Sequence, residues 1–189
     1  AVMLGAIPAR YGWTGGPVEL DTYFAMARGN DAVPAMEMTK WFDTNYHYIV
    51  PEFEPGMRFQ LASNKIMDEF LEAKALGILT RPVLLGPVSF LLLGRARAGA
   101  HRPDLLDHLL PVYQEILARL AAAGAEWVQL DEPALALDMA PDEMRMLLEV
   151  YKILSAGPRP RACLTAYFGG LADKLDGLAR LSVGALHLG

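Results

Sequence analysis

Short apolar runs rich in β-branched and aromatic residues alternate with longer amphipathic segments through most of the chain, and this alternation restricts the fold more than any other feature. Strands buried on both faces and separated by helices of ten or more residues pair in parallel, because a parallel neighbour is reached only through a crossover. The pattern predicts strands over Tyr46–Val50, Pro82–Leu85, Trp127–Leu130, Ala162–Tyr167 and Gly184–Leu188, with Val2–Ile7 as a sixth candidate. Helices are expected over Leu20–Arg28, closed by Gly29, and from Ser63 as N-cap, with Ile66, Phe70, Leu71 and Ala75 on one face and Gly77 at the end. A longer helix begins at Pro103 and carries Leu106, Leu109, Leu110, Tyr113, Ile116, Leu117 and Leu120 before Gly124. Pro111 within it predicts a kink or a fresh first turn. Pro141 opens another, with Met144, Leu147, Leu148 and Tyr151 facing inward, and Leu171–Leu178 is a shorter one. Tyr11–Pro17 and Asn30–Pro34 read as a glycine-rich turn and a loop.

Such a chain is either a doubly wound sheet or part of a barrel. No Gly-x-Gly-x-x-Gly follows a strand and no phosphate loop precedes a helix, which disfavours a nucleotide-binding sheet. In a (β/α)8 barrel the site is built from polar residues at the C-terminal ends of the strands. Here those ends carry Asn45 to Tyr48, Gly86-Pro87, Asp131-Glu132-Pro133, Thr165 to Tyr167 and His187. The expectation is an α/β chain forming a partial (β/α)8 barrel as a single domain over 1–189. Five or six strands do not close eight, so open edges that favour self-association are expected.

Composition narrows the function. With 53% hydrophobic and 21% charged residues in 189, the chain can bury a core. A net charge of -5 and the absence of a basic block argue against nucleic acid. The apolar run Pro87–Leu93 is far too short to span a bilayer. No secretory signal is visible and Cys163 is the single cysteine, which points to a reducing cytoplasm. The chain opens on Ala1 rather than Met, as a processed chain or an excerpt of a longer one would.

The densest polar and aromatic cluster is Met38 to Tyr48. Lys40 is one of 5 lysines against 12 arginines and lies in a loop rich in donors and aromatic faces, as a contact for an anion would. The bland alternative is a solvated lysine beside packed aromatics. His47 alternates with Tyr46 and Tyr48 and reads first as a satisfied structural histidine. Asp131 and Glu132 are adjacent carboxylates at a strand end, where one could orient a substrate amine or serve acid–base chemistry. Neighbouring strand residues point oppositely, so one faces the barrel axis and the other pairs or caps the next turn. Asp131 is the inward one if Gln129 also faces in. Metal chemistry has little support: His101 and His108 lack companions, and Cys163 reads as a buried thiol. No serine sits in a nucleophile elbow, so no catalytic residue is assigned.

The run Glu37 to Glu52, with Met38-Thr39-Lys40-Trp41 at its head, resembles the N-terminal domain of cobalamin-independent methionine synthase, the 5-methyltetrahydropteroyltriglutamate–homocysteine methyltransferase family. The resemblance extends through Leu4-Gly5 with Pro8 to Arg10, Arg81 to Val88, Leu110 to Tyr113, Glu126 to Leu135 and Thr165 to Phe168, covering the chain in order. It implies one of two face-to-face barrels. In that family the zinc, its His, Cys and Glu ligands, and the homocysteine site belong to a C-terminal barrel that this sequence lacks. An opening Gly-Phe-Pro-Arg run and an Arg-Glu-Leu-Lys folate contact are likewise missing. By the resemblance Lys40 is the folate-binding lysine, meeting glutamate carboxylates of 5-methyltetrahydropteroyl-polyglutamate, with Asn45 and Tyr46 as further contacts. His47, Asp131 and Glu132 are polar residues of the barrel mouth. Asp131-Glu132-Pro133 matches a motif whose C-terminal counterpart contacts homocysteine, and here its role is structural. The chain itself is expected to hold no metal or cofactor and to be inactive alone, its partner being the missing C-terminal barrel. The alternative is an autonomous barrel-derived module for docking or another ligand.

Overall fold

The computed structural model describes residues 1–189 as an α/β chain that divides into two compact units. The first comprises Ala1–Asn64 and Leu93–Val112, and the second Lys65–Leu92 and Tyr113–Gly189. No helix is long and apolar enough to cross a membrane.

In the first unit, Val2–Leu4 and Ala9–Tyr11 are single 3-10 turns, so the strand expected over Val2–Ile7 does not form. Gly5, at φ 63, turns the chain, and a Cβ there would meet the Trp13 ring 2.8 Å away. Helix α1, Leu20–Arg28, ends at Gly29 as the sequence predicts, the Gly29 N–H donating to the Ala25 carbonyl. Its buried Met26 packs with Ile7 and Met36 in a small core ringed by Val2, Tyr11, Trp13, Val18 and Ile49. Strands β1, Met38–Lys40, and β2, His47–Ile49, form an antiparallel hairpin. The buried strand expected at Tyr46–Val50 is therefore corrected. It starts one residue later, leaves Tyr46 78% exposed, and pairs with a segment read as loop. Its aromatic and β-branched residues serve cross-strand packing rather than a two-sided core, a distinction that composition does not encode. Strand β3, Glu52–Phe53, pairs in parallel with β5, Arg95–Ala96. Gly94 is required beside it, because any side chain there would overlap the Phe53 ring.

The second unit holds a four-stranded parallel sheet in the order β4 (Val83–Leu85), β6 (Trp127–Asp131), β7 (Arg161–Ala166), β8 (Ala185–Leu188). These are four of the five expected strands, each within a residue or two of its predicted limits. Helix α2, Lys65–Ala75, precedes β4, and α3, Pro87–Leu92, follows it. Of the apolar face expected on α2 only Phe70 is buried, while Leu71 is exposed. Helix α4, Arg102–Ala122, begins in the first unit and ends in the second, running on through Pro111. The proline ring is exposed, and the helix loses one backbone bond there without ending. Helix α5, Pro141–Ser155, carries Leu147, Val150, Tyr151 and Leu154 into the core, shifted slightly from the expected face since Met144 and Leu148 are half-buried. Helix α6 is a single turn, Leu175–Leu178.

The register sorts the sheet's side chains. Leu84, Val128, Leu130, Ala162, Leu164 and Ala166 are buried on one face, with Tyr113, Ile116, Leu117 and Leu120 of α4 also in the core. The opposite face carries two cross-strand rows, Val83–Gln129–Cys163–Ala185 and Leu85–Asp131–Thr165–His187. β4 and β8 are the sheet's edges.

Gly86, directly after β4, donates its N–H to the Asp131 carbonyl at 2.6 Å, and a Cβ on it would overlap the buried Glu132 carboxylate. Its φ is not positive, so the constraint is steric rather than conformational. Gly86→Ala is expected to cost about 3 kcal/mol through displacement of that carboxylate. Urea unfolding monitored by fluorescence would measure it, and a loss below about 0.5 kcal/mol would show that the site relaxes freely.

Candidate functional site

The hairpin places the Lys40 region. Pairing of Lys40 with His47 leaves a six-residue connection, Trp41 to Tyr46, and short polar side chains hold it. The Trp41 N–H donates to the Tyr46 carbonyl at 2.7 Å. Thr44 bridges the turn, its hydroxyl donating to the Trp41 carbonyl at 2.6 Å and accepting from the Tyr46 N–H at 3.1 Å. Phe42 adopts a left-handed φ of 52, an unusual conformation for an aromatic residue, and its ring meets the Trp41 ring edge-on at 5.3 Å. Trp41 also packs edge-on against Tyr48 at 5.2 Å, and the Tyr48 hydroxyl donates to the Leu93 carbonyl at 3.0 Å. Burial raises the Tyr48 phenol above its usual range, so it remains a donor at neutral pH.

Strand alternation gives the hairpin two different faces. Thr39 and Tyr48, with Glu37 and Val50, line an open cleft of about 680 Å3 that also includes Arg95, His101 and Arg102. Arg95 pairs there with Glu37 at 2.7 Å. Lys40 and His47 lie on the other face with Met38 and Ile49. Lys40, Asn45, Tyr46 and His47 are all exposed. His47 is thus not a satisfied core histidine, and Lys40 and His47 have no ion pair or hydrogen bond.

Behind the hairpin lies a buried charge cluster that the sequence did not single out. Glu52, at the start of β3 and 8% exposed, accepts two hydrogen bonds from Arg10 at 2.6 and 2.8 Å and one from Arg97 at 2.7 Å. Hydrogen bonding from Arg10, reinforced by Arg97, holds the Glu52 carboxyl down at about 2, against the opposing effect of burial. The Arg10 guanidinium is pushed further up by the same bond. The available signal was a glutamate next to Pro51 in a short apolar stretch; its partners Arg10 and Arg97 lie 42 and 45 positions away and give no local sign.

In the second unit Asp131 and Glu132 separate as strand geometry requires. Asp131 accepts from Gln129 at 2.7 Å and from the Tyr167 hydroxyl at 3.2 Å, so Gln129 and Asp131 share a face. Burial, with the Asp131 charge, raises the Tyr167 phenol well above its usual range. Glu132 is fully buried and accepts from the Ser89 N–H at 2.6 Å, the Val88 N–H at 3.3 Å and the Tyr151 hydroxyl at 2.9 Å. It caps the start of α3, the bland alternative for one of the two carboxylates. His187 is exposed and pairs in register with Thr165, which itself pairs with Asp131. Cys163 is buried, its thiol 3.9 Å from the Thr165 hydroxyl. No three His, Cys, Asp or Glu side chains stand close enough together to hold a metal ion. Chemically, then, Glu132 and Glu52 are occupied with structure, whereas Lys40 is an exposed cation with no ion-pair partner, suited to an anionic ligand.

The family profile described as "Cobalamin-independent synthase, N-terminal domain" matches residues 1–189. A 5-methyltetrahydropteroyltriglutamate–homocysteine methyltransferase of Caulobacter vibrioides is 54% identical over 209 residues, which takes in 100% of this chain and 27% of that protein. One from Chelativorans is 55% identical over 201 residues, 100% of this chain and 26% of the relative. The chain therefore spans about a quarter of the length of these relatives. Among solved structures, a methyltransferase from Methanosarcina mazei superposes with a TM-score of 0.54 at 14% identity, over 86% of this chain and 59% of the other, a likeness of fold alone.

The two buried glutamates give opposite pH dependence. Burial raises the Glu132 carboxyl from 4.5 to about 7, outweighing its hydrogen bonds. The folded chain keeps a proton that the unfolded chain releases, so stability declines as pH rises from about 4.5 to 7 and levels off above, by about 3 kcal/mol at most. Glu52, held low, stabilises the fold above its unfolded pKa, and that contribution is lost as pH falls from 4.5 towards 2. Urea midpoints measured from pH 4 to 8 should fall across the upper window and flatten there in Glu132→Gln. An unchanged slope in that variant would assign the decline to other groups.

Proposed function

The chain belongs to the cobalamin-independent synthase family, matching its N-terminal domain throughout, and from that premise we propose that it serves methyl transfer from 5-methyltetrahydropteroyltriglutamate to homocysteine by holding the folate's glutamyl tail. The observation that carries this reading is the state of Lys40. It is exposed and unpaired on an aromatic hairpin, in a motif that resembles the family's folate-binding segment. A polyglutamyl tail is a string of carboxylates, and an ammonium on a flexible stem meets such a string without demanding one geometry. Asn45 and Tyr46 are exposed in the adjoining turn and offer an amide and a phenol as further donors.

In this reading the parallel sheet is an arc of a (β/α)8 barrel. Its support is the parallel order β4-β6-β7-β8, the helix-rich crossovers, one fully apolar face, and Asp131, Thr165 and His187 gathered at the C-terminal ends of the strands on the other. Further strands would pair with the edges β4 and β8, and a C-terminal barrel would supply the homocysteine side. Zinc, which the resemblance assigns to that second barrel, does not fit the residues here, since no three potential ligands converge. The chain's own contribution is binding and orientation.

Lys40→Ala should weaken 5-methyltetrahydropteroyl-triglutamate by about 1 kcal/mol, roughly fivefold, and the monoglutamate less, because the added carboxylates are what the ammonium meets. Titration calorimetry with both folates checks this, and equal losses would move Lys40 to the pterin end or to folding. Open strand edges make a second expectation: the chain of 20.7 kDa on its own should show a mass in light scattering that rises with concentration. A concentration-independent monomer with a sharp melt would count against the barrel reading.

A further inference from the structure

The hairpin register brings together two residues that the sequence separates by seven positions. Backbone bonds from Trp41 N–H to Tyr46 carbonyl and from Val50 N–H to Glu37 carbonyl mark the hydrogen-bonded pairs of the ladder. Pairs alternate, so Lys40 and His47 are a non-hydrogen-bonded pair, the kind in which opposed side chains stand closest, with Cα atoms about 4.5 Å apart. Their side chains leave the ladder on the same face, with Met38 and Ile49 one step along it. Both are exposed, and neither has a hydrogen-bond or ion-pair partner in the chain. Of the two acids of the hairpin, Glu37 is committed to Arg95 on the opposite face, and Asp43, exposed in the turn, makes no ion pair with either residue.

An ammonium and an imidazole held side by side, both exposed and neither bonded to another side chain, offer two donors to a carboxylate placed between them. We infer that Lys40 and His47 form one clamp for the carboxylates of a γ-linked glutamyl tail, with His47 the residue that sets preference for a long tail. This rests on the reading of Lys40 given above and extends it to a partner that the resemblance does not assign. The chemistry of the face fits: each glutamyl unit alternates a carboxylate with two methylenes, and the clamp alternates with the half-exposed Met38 and the partly buried Ile49. Thr44 fixes the geometry, because its two hydrogen bonds close the turn that sets the register. Were the register to slip by one residue, His47 would move to the Tyr48 face and the clamp would be lost.

The test uses the full 189-residue chain with 5-methyltetrahydropteroyl-monoglutamate and -triglutamate as probes, binding being followed through amide chemical shifts, which report affinities into the millimolar range. His47→Ala should weaken the triglutamate about fivefold while leaving the monoglutamate within about twofold. His47→Lys, which keeps a donor at that position, should recover the triglutamate preference. The Lys40→Ala/His47→Ala double variant should lose less than the product of the two single losses, since both side chains share a carboxylate. An unchanged triglutamate-to-monoglutamate ratio in His47→Ala, with the ratio collapsed in Lys40→Ala, overturns the clamp and leaves the Lys40 reading intact. If Lys40→Ala also leaves the ratio unchanged, or the chain binds neither folate, the underlying reading fails with it. Because both positions are exposed, unaltered hairpin amide shifts in the free variants separate loss of contact from loss of structure.

Discussion

The Glu132 carboxylate is the constraint around which the second unit is arranged. A fully buried carboxylate is tolerated only when its lone pairs are filled, and here the first turn of α3 and the Tyr151 hydroxyl fill them. Those bonds join three pieces of chain. β6 delivers Glu132, the Gly86-Pro87 turn after β4 delivers the N–H groups, and α5 delivers Tyr151. Ser89, also fully buried, adds a fourth link by accepting from the Ala134 N–H at 3.0 Å. Glycine at position 86 follows from this arrangement, because the carboxylate occupies the space a side chain would take. The same logic explains why Asp131 is left for the other face. With Glu132 committed to the helix side, alternation turns Asp131 towards Gln129 and Tyr167 at the strand ends.

The first unit solves a comparable problem with full charges. Glu52 is ionised and paired with two arginines, one from the irregular N-terminal segment and one just beyond β5. Burial there is offset by bidentate geometry, whereas in the second unit it is offset by backbone amides and the carboxyl is pushed up rather than down. Neither glutamate is free for ligand chemistry. What remains available is the turn end of the β1–β2 hairpin, where Lys40 and His47 are paired and exposed. The pairing of that hairpin matters for binding, since a cation presented on a hydrogen-bonded ladder loses less freedom on meeting an anion than one on an unpaired loop.

Elements with strong local signals were legible before any coordinates. Gly29 after Arg28, the apolar stripe of α4, and the short apolar strands at Val83–Leu85, Trp127–Asp131 and Arg161–Ala166 each carry their own stop and period. The errors fell where local pattern was ambiguous. Val2–Ile7 is apolar enough for a strand but closes into a 3-10 turn, with Gly5 in the left-handed region. Tyr46–Val50 has strand composition, yet its partner proved to be Met38–Lys40, whose Met-Thr-Lys run carries no alternation to announce it.

The sequence by itself determined that the chain is an α/β protein with parallel strands, which family it joins, and that Lys40 heads its most specific motif. These properties reside in residue order and short-range periodicity, which a single chain displays in full. Only the tertiary structure decided that Glu132 points to the helices and Asp131 away, that Glu52 holds Arg10 and Arg97, and that His47 stands beside Lys40. Each of these depends on strand register or on contacts between residues as much as 45 positions apart. A one-residue shift of register reverses every side chain's face, and nothing in local composition fixes that register until the partner strand, the turn and the buried hydrogen bonds are all in place.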